Sequence, residues 1–118
     1  MLSTVEFVNQ MLDLAAEHGE SALVKFEVRP CICPPQCRGF HKTYYFRFNP
    51  DGTVEFRRSP YGFHSVVYPN PSFLVVESRE DAVQLIDEIL REQEIVSGRR
   101  DDLAEVALLA KLELAYTS

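Results

Sequence analysis

The chain reads as an α+β domain: a meandering antiparallel sheet of three to four strands with three helices packed mainly on one face, in the order α-β-β-β-(β)-α-α. Three observations predict it. Apolar residues recur at helical spacing near both ends of the chain. Between those ends they alternate with polar residues at period two. A "NPDG" turn sits between two alternating runs, and such short turns join neighbouring strands in antiparallel order. Sequential antiparallel strands with helices before and after them predict a sheet covered on one side.

The first helix begins at a capping box. Ser3 is the cap, Glu6 stands three residues on, and Leu2 and Phe7 occupy the positions of a hydrophobic staple. Val5, Val8, Leu12 and Ala15, joined by Met11, define its buried face. His18 and Gly19 end it, a cation near the negative end followed by a residue that tolerates φ > 0. In "ALVKFEVR", Val24, Phe26 and Val28 point one way and Lys25, Glu27 and Arg29 the other. In "TYYFRFNPDGTVEFRR", Tyr44, Phe46 and Phe48 alternate with Tyr45 and Arg47, and Val54 and Phe56 with Glu55 and Arg57. Pro50, Asp51 and Gly52 supply the turn between them.

"FHSVVY", residues 63–68, is a weaker strand bounded by prolines, which suits a sheet edge. "FLVV", residues 73–76, is either one more short strand or an apolar lead into the next helix. Ser78 caps that helix, Glu80 and Asp81 favour its positive end, and Val83, Ile86, Ile89 and Leu90 form its apolar face. "SGRRDD" interrupts the pattern, and a last helix is expected from Asp102 through "LAEVALLAKLELA". Its leucines cover a wide arc, so it is expected to be buried on two sides or to meet another molecule.

The 118 residues form one domain over 1–118, with 46% hydrophobic and 25% charged residues, an ordinary globular balance. No apolar run reaches the roughly 20 residues of a membrane span, and the N-terminus lacks the pattern of a signal peptide. A cytoplasmic protein is expected. The formal net charge of −6 disfavours nonspecific nucleic-acid binding, which draws on many Lys and Arg contacts to phosphate. No glycine-rich phosphate loop, G-x-S-x-G or H-E-x-x-H occurs, and no enzymatic activity is expected.

The chemically loudest segment is "CICPPQCRGFH", which holds all three cysteines and one of the three histidines. Cys31, Cys33, Cys37 and His41 would supply a Cys₃His set for one structural zinc ion. Cys-x-Cys in an extended chain puts both thiols on one face, Pro34-Pro35 bends the segment, and Gly39 bends it again before His41. The spacing is not the paired C-x₂-C of common zinc fingers. Two alternatives stay open: a thiol redox pair at Cys31 and Cys33, and a rigid loop whose cysteines are small apolar groups. Arg29, Arg38, His41 and Lys42 make the local field positive, which favours thiolates under either chemistry.

Two surfaces are further candidates. Lys25, Arg29, Tyr45, Arg47 and Arg57 share a sheet face with Glu27 and Glu55, which would suit nucleic acid or be a solvated face of cross-strand ion pairs. Tyr61, Phe63, Tyr68 and Phe73 cluster beside the proline-rich edge and would either bind a protein or cap the end of the core. The expectation is a small binding or regulatory module with a zinc knuckle, acting on a protein partner. That surface is the aromatic edge or the last helix, which would also support a homodimer.

Overall fold

In the computed structural model the described residues are 2–28, 41–61 and 73–114, with the backbone alone described for 41, 42, 59–61, 113 and 114. The element order is α1 (Thr4–His18), β1 (Glu20–Val28), β2 (His41–Phe48), β3 (Val54–Tyr61), β4 (Leu74–Val76), α2 (Arg79–Ser97), α3 (Leu103–Leu108) and β5 (Lys111–Leu114). The five strands form one antiparallel sheet in the order β4-β3-β2-β1-β5. The α+β class with three helices is thus observed, with one strand more than the upper expectation.

The helix ends follow their local chemistry. Ser3 accepts from the Glu6 N–H while the Glu6 carboxylate accepts from the Ser3 N–H at 3.0 Å, the reciprocal capping box. Hydrogen bonds from the Ser3 N–H, foremost, and from the Ser3 side chain hold the Glu6 carboxyl below its usual range. Gly19 closes α1 in the left-handed region at φ 66°. Ser78 caps α2 by accepting from the Asp81 N–H. Between β2 and β3 the chain turns through Asn49–Gly52. The Asn49 N–H donates to the Thr53 carbonyl, and the Gly52 N–H, at φ 91°, donates back to Asn49. Two donations from Thr53 to Asp51, one from the N–H and one from the hydroxyl, lower the Asp51 pKa.

The core lies between α1, α2 and the helix-side face of the sheet. Phe7, Phe26, Phe46 and Phe48 are fully buried. Their rings meet edge to face: Phe7 on Phe26 and Phe48, and Phe26 on Phe46, at 5.8 to 6.1 Å between centroids. Ile86, Ile89 and Leu90 of α2 close the layer. Two details differ from expectation. Val5 is 55% exposed, whereas Phe7 is wholly buried and carries the α1 contact. A fifteen-residue helix presents one stripe to a sheet, and here it runs through Phe7, Val8, Met11, Leu12 and Ala15.

The C-terminal segment is the larger correction. The helix expected from Asp102 through "LAEVALLAKLELA" stops at Leu108, and Lys111–Leu114 pairs with Glu20–Leu23. The Leu109 N–H folds back onto the Glu105 and Val106 carbonyls and ends the helical turn. The edge of β1 then offers unpaired backbone groups, and "KLEL" has the period-two alternation to meet them. The wide leucine arc is not buried on two sides: Leu108 and Leu109 are 85% and 73% exposed. No helix among the described residues is long and apolar enough to cross a membrane.

Candidate functional site

The helices leave one face of the sheet open, and the strand register decides what that face carries. Lys25 lies opposite Tyr45, and Tyr45 opposite Arg57; Arg47 lies opposite Glu55. All of these side chains project away from the ring core, because period two puts them on the other side from Phe26, Phe46 and Phe56. The shared face expected for Lys25, Glu27, Tyr45, Arg47, Glu55 and Arg57 is observed; Arg29 lies outside the described residues.

The basic end of this face is a cation–aromatic cluster. The Arg57 guanidinium sits 4.5 Å from the centre of the Tyr45 ring and 5.2 Å from that of Phe73. Arg47 lies 4.1 Å from the same Phe73 ring and pairs with Glu55 at 3.1 Å. Arg57 Nε is buried and, among the described residues, has no hydrogen-bond partner. A buried N–H without a partner costs about 1–3 kcal/mol, so its persistence calls for an explanation.

The other end of the face opens into a cleft of about 640 Å³ between β1, β5 and α3. Leu23, Val106 and Leu109 supply apolar wall; Asp101, Asp102 and Glu105 of the α3 end stand across from Lys25 and Lys111. Lys25 pairs with Glu27 at 3.1 Å. Gln93 closes one end. Its side-chain amide donates to the Glu27 carbonyl at 2.9 Å and to the Asp101 carboxylate at 2.8 Å, and accepts from the Asp101 N–H at 2.9 Å. Gln93 is buried, with its donors and acceptor engaged, and it ties α2 and the α2–α3 loop to the edge of β1.

On the opposite face, Tyr44 reaches α2. Its hydroxyl donates to Glu92 at 3.1 Å. Burial foremost, then the hydrogen bond and the negative charge of Glu92, push its pKa up to about 12.

The expected site residues divide sharply. Cys31, Cys33 and Cys37 lie outside the described residues, as do Phe63 and Tyr68. His41 opens β2 opposite Tyr61, which ends β3, and only the backbone of each is described. Phe73 is half-buried and belongs to the cation cluster of the open face. Among the described residues no group of three or more His, Cys, Asp or Glu side chains is placed to hold a metal ion. The cleft was not foreseen in the sequence, although one signal for it exists. Gln93 falls on the apolar stripe of α2, in step with Ile86, Ile89 and Leu90, and a polar residue there needs polar work to do. Compared with protein-family models, curated proteins and solved structures, the chain has no match in any of the three.

Proposed function

We propose that this chain is a non-enzymatic binding module that receives an acidic segment of a partner protein on the open face of its sheet. The carrying observation is Arg57, whose guanidinium lies against the Tyr45 and Phe73 rings with a buried Nε that has no hydrogen-bond partner among the described residues. Arginine held against aromatic rings is pre-organised for a carboxylate and loses little freedom on binding one. The overall charge of −6 argues against a broad polyanion site and for a local one. A nucleic-acid partner on the same face is the alternative, since rings and guanidinium groups also hold bases and phosphates.

Fluorescence anisotropy with a labelled peptide rich in Asp and Glu, and with a labelled single-stranded RNA, tests this. Arg57→Ala should weaken peptide binding by roughly tenfold or more, the worth of a charge-assisted hydrogen bond. Arg58→Ala, exposed and one residue along on the opposite face, should leave it unchanged. No peptide binding, or binding indifferent to Arg57→Ala, overturns the proposal. RNA binding with a steep salt dependence would favour the alternative.

The same reading keeps one structural zinc ion on Cys31, Cys33, Cys37 and His41. Pairing of Val28 with Lys42 brings the two ends of that loop together, and a metal would then staple a loop closed at its base. Elemental analysis of protein purified without added metal checks this; zinc absent and all three thiols titratable would remove it.

A further inference from the structure

The cleft beside β1 has a property that its lining alone does not reveal. Antiparallel pairing makes alternate residues of a strand direct both backbone groups to opposite neighbours. The Asn49 N–H bonds the Thr53 carbonyl, so the odd-numbered residues of β2 face β3 and the even-numbered ones face β1. Through the register Ala22↔Phe48, Val24↔Phe46 and Phe26↔Tyr44, the even residues of β1 then face β2. The odd ones, Ser21, Leu23, Lys25 and Glu27, face the other way. The Glu27 carbonyl agrees, for it accepts from Gln93 on that side.

Of these four, Ser21 and Leu23 pair with β5, and Glu27 is capped by Gln93. Lys25 lies between. Strand β5 stops at Lys111, opposite Leu23, and the next residue in position to continue the ladder, Leu109, spends its N–H on α3. Among the described residues no hydrogen bond reaches the Lys25 N–H or C=O from this side. The sheet therefore has a one-residue gap in its ladder, closed by Lys111 at one end and by Gln93 with Asp101 at the other, and opening into the 640 Å³ cleft. That volume falls in the range of ligand sites, roughly 300–1,000 Å³.

We infer that this gap is a docking slot for a short extended peptide carrying basic side chains, whose central residue completes the ladder at Lys25. Strand addition of this kind takes its affinity from main-chain hydrogen bonds and its specificity from alternate side chains. The residue opposite Lys25 shares the open face with it, near Leu23. Its two neighbours point the other way, towards α3, where Asp102 and Glu105 lie. The cleft holds the carboxylates of Glu27, Asp101, Asp102 and Glu105 against the ammonium groups of Lys25 and Lys111. Lys25 is paired with Glu27, and Glu105 has no ion-pair partner among the described residues. The remaining field is negative, and it selects a basic–apolar–basic pattern. The slot does not depend on Arg57.

The test is NMR on the ¹⁵N-labelled full chain with the capped peptide Ser-Lys-Val-Lys-Ser. Its companions carry glutamate in place of both lysines, or an N-methylated valine that lacks the N–H donor. The lysine peptide should shift the Lys25 amide proton downfield and slow its exchange by roughly tenfold, as ladder pairing does. The glutamate peptide, the N-methyl peptide and the Glu105→Lys variant should each bind at least about tenfold more weakly, one charged or hydrogen-bonded contact being worth that much. Arg57→Ala should change nothing here, so loss of the acidic-peptide site and loss of this slot are separately visible. An unmoved Lys25 amide, glutamate-peptide binding as tight as the lysine peptide, or undiminished N-methyl binding overturns the inference.

Discussion

Tyr44, Tyr45 and Phe46 are consecutive in the chain and lie in two different worlds. On the helix side, Phe46 is fully buried among Phe26, Phe48 and Phe56, and Tyr44 stacks on Phe56 while its hydroxyl reaches Glu92. On the open side, Tyr45 lies under the Arg57 guanidinium and lines the cleft. The same residue class thus packs as hydrocarbon on one face and as a platform for cations on the other. What differs is water: helices exclude it from one face, and on the other a ring is useful for the charge it can hold. The covered face explains why the chain folds, and the open face is where it has groups to spare.

The sharpest way to break this contrast is to truncate neighbours. Phe46→Ala should destabilise the fold by about 3–5 kcal/mol, through lost burial and the cavity left among the rings. Tyr45→Ala should cost less than about 1 kcal/mol, in line with a partly exposed surface position. Urea denaturation of both variants checks this, and equal losses would erase the distinction between the faces.

Next in size is Gln93→Ala, which strips one bond from the Glu27 carbonyl and two from Asp101. A loss of about 1–3 kcal/mol is expected, and the Asp101 amide, which donates to the Gln93 side chain, should exchange faster. Exchange measured by NMR reads both at once.

Tyr44 sharpens the contrast by pH. Its folded pKa of about 12 stands above the ordinary value of 10, so the folded state favours the protonated phenol. That stabilisation is fully present below pH 10 and is lost as pH rises towards 12. Thermal midpoints should fall across that window, and Tyr44→Phe should flatten the fall. The smallest effect is expected at the proposed binding residue: Arg57→Met keeps the contact with the two rings and removes the orphan N–H, so stability should change by less than about 0.5 kcal/mol or rise slightly. A large destabilisation would make Arg57 a structural residue and weaken the proposed function.

Much of the covered face was legible beforehand. Ser3 with Glu6, Gly19, the turn at Asn49–Gly52 and Ser78 each act through bonds within a few residues, and local chemistry of that range is written in the chain. The alternation of Phe46 and Phe48 with Tyr45 and Arg47 placed both faces correctly. The candidate site was legible only in part. Arg57 and Tyr45 could be set on one face by register, whereas Phe73 joins them from beyond the end of β3. The last segment was misread because "LAEVALLAKLELA" combines strong helix formers with a wide leucine arc and has no glycine or proline to stop it.

By itself, then, the sequence determined the helix caps, the hairpin and the division of the sheet into an apolar and a polar face, because periods of 3.6 and 2 and the chemistry of caps are local. Only the tertiary structure decided that Lys111–Leu114 becomes a strand, that Gln93 caps Glu27, and that the ladder is left open at Lys25. Each of those depends on a backbone edge supplied by a distant part of the chain. Hydrogen-bonding groups that must be satisfied there outweigh the few tenths of a kcal/mol per residue by which helix propensity favours the alternative.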